Sequence, residues 1–577
     1  MADSPEIPNP SSTPGSPTGT KKSLSMETRL LLAFLLMGLV LFVTPYLYKP
    51  PVGPKPTAPA ATPQQAAQVT QKPKEAEAAK PAAALEIPGQ IASGSEQEQL
   101  IDTDLYRIKL SNRGAVVRSW ELKKFKDHTG KPLQLVNVPA LSKVPAPFSV
   151  SIKDDKTALL LNYALFVGKP AADGLGIDYE FADGKTLCRK SFRFAKDSYM
   201  SQFSSEVAQN GTPVAHLIKW RGGFGDATVL NRISAQHSVY YDVPAAKLIN
   251  KEAKAAKDGV VTANGTYSFA GLDDTFFAFV FLPKDNTSTE VRTVKDEVLS
   301  PLSGKEEAHV GVEIGGDSQN KFAAFVGPKD VDILRHVDPK LQQLIDWGWF
   351  WFIAQPLFSA LRYINDHIHN YGWSIVLITI IINLLLLPLR FTSLKSARKM
   401  QGLQPQIAAI NAKYKNLSLR DPKKAEQNLE VMDLYKKHGA NPLGGCLPMV
   451  IQLPILYAFY KVLTVTIEMR NAPWLWVADL SQPEQLPIHL LPIIMIITQF
   501  IMQKMTPNPT MDPAQAKMMQ FMPLMFGFFF YSMSSGLVLY WLTGNLVGIL
   551  QQMLINKYTP APVLTAPKPA LKKTSKR

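Results

Sequence analysis

The stretch "YGWSIVLITIIINLLLLPLR" (371–390) runs for nineteen residues without a charge. As a helix rising 1.5 Å per residue it measures about 28 Å, close to the roughly 30 Å of a bilayer's hydrocarbon core. Within lipid every backbone donor and acceptor has to be satisfied by the segment itself, and a helix does this. One residue jars. Asn383 places an amide two-thirds of the way along, where it costs free energy unless it finds a partner.

Five further windows have the same character: 30–48, 442–467, 486–503, 518–533 and 535–555. The last two are separated only by "SMSSG", so they are expected to be antiparallel neighbours. The first follows a Pro/Ser-rich tail (1–29) ending in Lys21, Lys22 and Arg29, and no small-residue cleavage pattern follows it closely. It reads as an uncleaved signal anchor rather than a signal peptide. Residues 49–99 hold nine prolines between Pro50 and Pro88 and form a linker unable to build a core.

Between 100 and 335 the pattern changes to short alternating runs such as "YRIKLSNRGAVVRSWEL", "FSVSI" and "FFAFVFL", divided by Gly, Asn, Asp and Pro. This predicts one large all-β sandwich. Residues 336–369 then bring Trp347, Trp349 and Trp351 with Phe350 and Phe352 at the edge of a run too short to span. Such aromatic belts lie at the membrane–water interface, so interfacial amphipathic helices are expected here. The fold class is therefore a polytopic α-helical membrane protein of six spans with a large outer β domain.

Charge placement sets the orientation. The chain carries a net charge of +15, but the excess is concentrated beside apolar spans, which argues against DNA as a partner. Residues 390–441 contain eleven Lys/Arg against four Asp/Glu, and the chain beyond Ile555 has six Lys/Arg and no acid. The loop 468–485 holds a single Arg. With the N-terminus inside, six spans put every basic segment in the cytoplasm and the β domain outside.

The cytoplasmic segment 390–441 has a helical rhythm of its own: Leu403, Ile407, Ile410 and Tyr414 on the way out, and Ala425, Leu429 and Met432 on the return. "LRDP" breaks the two, with Asp421 as an N-cap before Pro422. It is either a solvated helical hairpin or a basic arm that meets ribosome, targeting factor or nascent chain. The basic tail 559–577 either contacts ribosomal RNA through phosphates or holds the last helix inside.

Two long blocks, "GWFWFIAQPLFSALRYINDHIHNYGWSIVLITIIINLLLLPLR" and "LYKKHGANPLGGCLPMVIQLPILYAFYKVL", together with "DPAQAKMMQFMPLMFGFFFYSMSSGLVLYWLTGNLVGILQQ", resemble the YidC/Oxa/Alb family of membrane protein insertases in its long, Gram-negative-type form. The resemblance implies a five-helix core over 370–558 with a hydrophilic groove open to cytoplasm and lipid, and a periplasmic β-supersandwich. It implies insertion, folding and assembly of nascent inner-membrane proteins, alone or with the Sec translocon, in contact with membrane lipids and without cofactor or metal. One departure stands out. Asn383 occupies the place where bacterial members characteristically carry a groove arginine. The nearest cation is Arg390, seven residues on and on roughly the same face of one continuous helix. It is either an ordinary positive-inside flank or a groove-mouth cation that snorkels upward.

Counting depth at 1.5 Å per residue places Asn383 about 9 Å, Gln452 about 12 Å and Asn545 about 15 Å above the inner face. Three amides on three helices thus share the cytoplasmic half, with Thr379 one turn from Asn383. Such residues either bond between helices or line a wet cavity. With the family resemblance, the expectation is a groove lined by Thr379, Asn383, Gln452, Tyr457, Tyr540, Trp541 and Asn545. Lys461 lies in the outer half of its span and is expected to snorkel outward. Gly544 and Gly548 form a GxxxG pair expected to allow close packing.

Other classes fit less well. A transporter predicts midplane charges or repeats, which are missing from the sequence. No G-x-S-x-G, HExxH or P-loop motif marks an enzyme. Cys188 and Cys446 lie in different segments, which argues against a disulfide framework.

Overall fold

The computed structural model describes residues 86–558 apart from 128, 229–235, 285–286, 300–303, 415–422, 440–446, 506–522 and 526. The signal anchor 30–48, the tails 1–29 and 559–577, most of the linker, the Asp421 cap and the first five residues of the span 518–533 lie outside the described residues.

The outer domain is all-antiparallel and built on two sheets, one of fifteen strands and one of four. The small sheet runs through Glu98–Asp102, Tyr106–Ser111, Val116–Lys126 and Pro132–Gln134. In the large sheet the thirteen-residue strand Val261–Asp273 changes partners midway. Residues 261–266 pair with Ser288–Leu299, and residues 270–273 pair with Phe277–Pro283. One continuous strand therefore belongs to two leaves of the sheet. Both faces of Phe277–Pro283 are covered, and alternation puts Phe277, Phe279 and Phe281 on one of them, with Phe148 within 6.0 Å of both Phe279 and Phe281. Burying each such ring contributes roughly 1.5–3 kcal/mol.

Two buried polar groups show how this core tolerates polarity. Lys190 is 1 % exposed, and its Nζ donates to the carbonyls of Gly114, Ala115 and Phe148. His216 is 2 % exposed; its Nδ1 faces the Val214 carbonyl, while Nε2 lies 2.7 Å from the Ser205 hydroxyl and 3.0 Å from the Asn320 amide. Each is fully partnered, as burial demands.

A short helix, α1 (Asp155–Tyr163), decorates the sheet, and α2 (Val331–Val337) leads out of it. Helix α3 (Trp351–Ile368) follows, with Ala354, Leu357, Phe358 and Leu361 buried on one stripe. Trp349, Trp351 and Phe352 are exposed as an interfacial belt requires, but Trp347 turns inward onto Phe358 at 5.3 Å.

The helical part continues with α4 (Tyr371–Leu385), α5 (Leu387–Gly402), α6 (Gln404–Lys413), α7 (Lys423–Lys437), α8 (Leu447–Val465), α9 (Leu490–Met505) and α10 (Ser535–Tyr558). Among the described residues α10 is long and apolar enough to cross a membrane unbent. Helices α4 and α5 qualify together as one span bent by 55°, and the apolar helices Val450–Val465 and Leu490–Met505 are shorter. The single straight helix expected across 371–390 is thus broken at Leu386. Pro388 sits at the start of α5, where it has no N–H to give to Leu384 and its ring crowds that carbonyl.

In segment 390–441 the outgoing seam holds, with Leu403, Ile407 and Tyr414 buried. The return face differs from the expected one. Val431, Leu434 and Tyr435 pack on Met400, Leu403 and Ile407, whereas Leu429 and Met432 are exposed. Beside this face Glu430 accepts from both Lys413 Nζ and the Tyr414 hydroxyl. The GxxxG pair is also not a close contact. A side chain at Gly544 would meet nothing within 4 Å, while one at Gly548 would meet Arg390 and Met502.

Burial pushes the His216 imidazole down to about 4 from 6.5. Between those values the unfolded chain binds the proton that the folded one refuses, so stability falls as pH drops from 6.5 towards 4, by up to ~3 kcal/mol from this residue. Unfolding of the full chain at pH 7 and pH 4.5 should show a smaller pH-dependent loss in His216→Gln than in the wild type. Equal losses would assign the acid sensitivity to other groups.

Candidate functional site

The break at Leu386 has a chemical result. Helix α5 leaves α4 at an angle, and Arg390, one turn into it, turns towards α9 and α10 instead of continuing the α4 face. Its Nη1 donates to Gln551 Oε1 at 2.9 Å, and Nη2 lies 4.0 Å from Met502 Sδ. Gly548 leaves the room: a Cβ there would stand 2.7 Å from Nη2. Gln551 in turn donates its amide to the backbone carbonyl of Asn383 at 3.2 Å. That carbonyl lies in the last turn of α4, where helix ends need outside donors. The Asn383 side chain bonds within its own helix, to Thr379 O at 2.8 Å, and the buried Thr379 hydroxyl bonds to Ile375 O. Thr379, Asn383, Gln551 and Arg390 therefore form one connected polar run beside the break.

The other expected residues divide into separate contacts. Gln452 on α8 donates to the Tyr540 hydroxyl at 2.5 Å, and Phe459 stacks on the Tyr540 ring at 4.0 Å. These contacts join α8 to α10. Asn545 turns to α9, with its amide 3.2 Å from Thr498 Oγ1. Trp541 donates from Nε1 to Gln499 Oε1 at 3.1 Å. Tyr457 stands elsewhere, with its ring 5.6 Å from Phe350 and its hydroxyl over Gly348. The structure therefore links Thr379 and Asn383 to Arg390 and pairs Gln452 with Tyr540. Among the described residues no hydrogen bond joins the three amides Asn383, Gln452 and Asn545 to one another. Lys461 pairs with Asp346 at 2.5 Å, on the segment that precedes α3.

Sequence reasoning missed Gln551, the link between Arg390 and Asn383, and Arg398. Arg398 is 7 % exposed and donates to the Ile555 carbonyl and to Asn556, near the C-terminal end of α10. The signal for Gln551 was available: "QQ" at 551–552 is the sole amide pair in an apolar span, six residues beyond Asn545. Among the described residues no group of three or more His, Cys, Asp or Glu could hold a metal ion.

An apolar helix bundle is joined to a large β domain, and the family matches make the class an inner-membrane protein with a periplasmic domain. Two family models divide the chain along that boundary, the "YidC periplasmic domain" over residues 98–360 and the "60Kd inner membrane protein" over 363–562. A protein of Geotalea daltonii named "Membrane protein insertase YidC" is 32% identical over 93% of this chain and 100% of its own length. One of the same name from Campylobacter jejuni is 44% identical over 42% of this chain and 44% of its own. The chain belongs to the YidC family. Among solved structures, one titled "Active YidC insertase crystal structure with the first transmembrane domain resolved" aligns with 82% of this chain and 95% of its own at 20% identity, with a TM-score of 0.35, too loose to add to that assignment.

The Arg390–Gln551 contact has an energetic test. Arg390→Leu, Gln551→Leu and the double variant should lose thermal stability non-additively, with a coupling of about 0.5–3 kcal/mol. Additive losses in the purified protein would mean that the 2.9 Å contact contributes nothing.

Proposed function

We propose that this protein inserts and helps assemble nascent inner-membrane proteins, through a hydrophilic groove in the cytoplasmic half of a five-helix core. The single observation that carries the mechanism is the run Arg390–Gln551–Asn383, a cation and amides held against the inner half of an apolar bundle. The chain is read as six spans with both termini cytoplasmic, a topology supported by the basic residues of 390–441 and of the tail.

The physical problem for a substrate is the polar stretch that precedes its apolar segment. Dragging that stretch across the full hydrocarbon thickness leaves its polar groups unpaired. Polar side chains that reach half-way shorten the low-dielectric path, and the apolar segment then partitions sideways into lipid. Burial at about 25 cal/mol per Å² drives the step without a covalent intermediate. Thr379, Asn383, Gln452, Tyr540, Trp541 and Asn545 are the groove's candidate lining; Tyr457, beside Phe350, belongs to the outer rim of that reading. Arg390 is its cation, brought inward by the break at Leu386 in place of a charge at 383. An acidic residue in a substrate would then be drawn to the guanidinium at the groove mouth rather than to the α4 face. The reading extends to partners: the Sec translocon beside the bundle, lipids against its apolar faces, and ribosome or targeting factor at the basic hairpin and tail.

The test is depletion of the protein in cells, rescued by variants, with protease accessibility of a small two-span substrate as readout. Arg390→Leu should reduce insertion at least fivefold for a substrate with an acidic outer residue and less for its neutral counterpart. Arg390→Leu combined with Asn383→Arg should recover most of the loss. Equal sensitivity of both substrates, or no recovery, would remove Arg390 from the mechanism. Full rescue by Asn383→Leu would make Asn383 a packing residue only.

A further inference from the structure

The loop between α8 and α9 carries one arginine, and it is buried. The side chains of Arg470 and of its partner Asp226, in the β domain, are each 3 % exposed. Arg470 Nη2 donates to Asp226 Oδ2 and, at 2.8 Å, to the carbonyl of Lys126. The guanidinium also lies over the rings of Phe276 and Phe277, 5.7 and 5.4 Å from their centroids. Its neighbour Asn471 donates to the same Lys126 carbonyl at 3.2 Å. The socket is shaped for this. Gly225, at φ +89, lies so close to Asp274 that a Cβ would overlap its carboxylate, and Asp274 accepts from the backbone of Phe276 and Phe277.

The same loop ties the outer ends of three helices. The Asn370 amide, capping α4, donates to Pro473 O, and Trp474 fills the space above Gly372, where a Cβ would stand 2.1 Å from its ring. The carbonyls of Leu480 and Gln482 accept from Gly536 and Ser535 at the start of α10. Glu484 accepts from the Leu491 N–H at the start of α9. Arg470 is thus the point at which one cap over α4, α9 and α10 plugs into the β domain. A guanidinium taken this far from water is stable only while carboxylate, carbonyl and rings are all in place. Pulling the domains apart would leave Asp226 and Arg470 unpaired.

We propose that Arg470 locks the β domain to the outer end of the helix bundle, so that the domain braces the cap and the two move as one body. The interface then has two states, seated or released, with little between them. Neither the cation at Arg390 nor the groove enters this proposal.

The experiment uses the full chain in lipid nanodiscs, with Cys188 and Cys446 replaced by Ser. Spin labels go on Val260→Cys in the β domain and Ile488→Cys in the cap, both exposed positions. Pulsed electron–electron distance measurement should give one narrow distribution in this parent and one at least twice as wide in Arg470→Ala. A broad distribution in the parent, or an unchanged one in Arg470→Ala, would overturn the lock. Should Arg470→Ala fail to fold, Asp226→Asn, which keeps the shape and removes the charge, decides on the same two outcomes. Insertion activity plays no part in the readout, so failure of the lock and failure of the insertase mechanism are distinguishable.

Discussion

Pro388 has no backbone hydrogen to donate, and its ring occupies the space that a continuous helix would need for the Leu384 carbonyl. In water such an interruption is repaired by solvent. Inside an apolar bundle the freed groups need protein partners. Gln551 donates one residue before the freed carbonyl, to Asn383 O in the last turn of α4, and the turn of the chain carries Arg390 inward to meet Gln551 from the other side. A backbone defect thereby becomes the reason that a cation can sit against helices α9 and α10. Gly548 completes the arrangement by leaving space for the guanidinium.

Much of the fold was legible in the sequence because its signals are strong and local. Alternation over residues 100–335 marked the β domain, and charge-free runs marked the helices around it. The break at Leu386 was also written there, in Pro388, but hydrophobic continuity across 371–390 outweighed it. Position along an assumed straight helix then placed Arg390 on the Asn383 face. The return face of the hairpin was misread for a related reason. Leu429 and Met432 have the right spacing, but Val431, Leu434 and Tyr435 share a neighbouring face of the same helix, and that face is the one buried.

The candidate site was less legible, because depth along a helix says nothing of direction around a bundle. Gln452 and Asn545 lie at similar estimated depths, yet one bonds to Tyr540 and the other to Thr498. Tyr457 shares a helix with Gln452 but sits among the outer aromatics. The Arg470 socket could not be read at all. Lys126, Asp226 and Arg470 are separated by up to 344 positions, and no periodicity spans such a distance.

Those separations also impose an order of events during synthesis. Lys126, Asp226, Phe276 and Phe277 all precede Arg470 in the chain, the last of them by nearly two hundred residues. At about 5–20 residues per second, the ribosome needs roughly 10–40 s to cover that interval. The strand Val261–Asp273, shared between two leaves, has its neighbours on both sides translated well before then. The receptor for the guanidinium is therefore complete in sequence, with time to fold, before the guanidinium exists. In order of synthesis the outer domain precedes the cap, and α9 and α10 follow it.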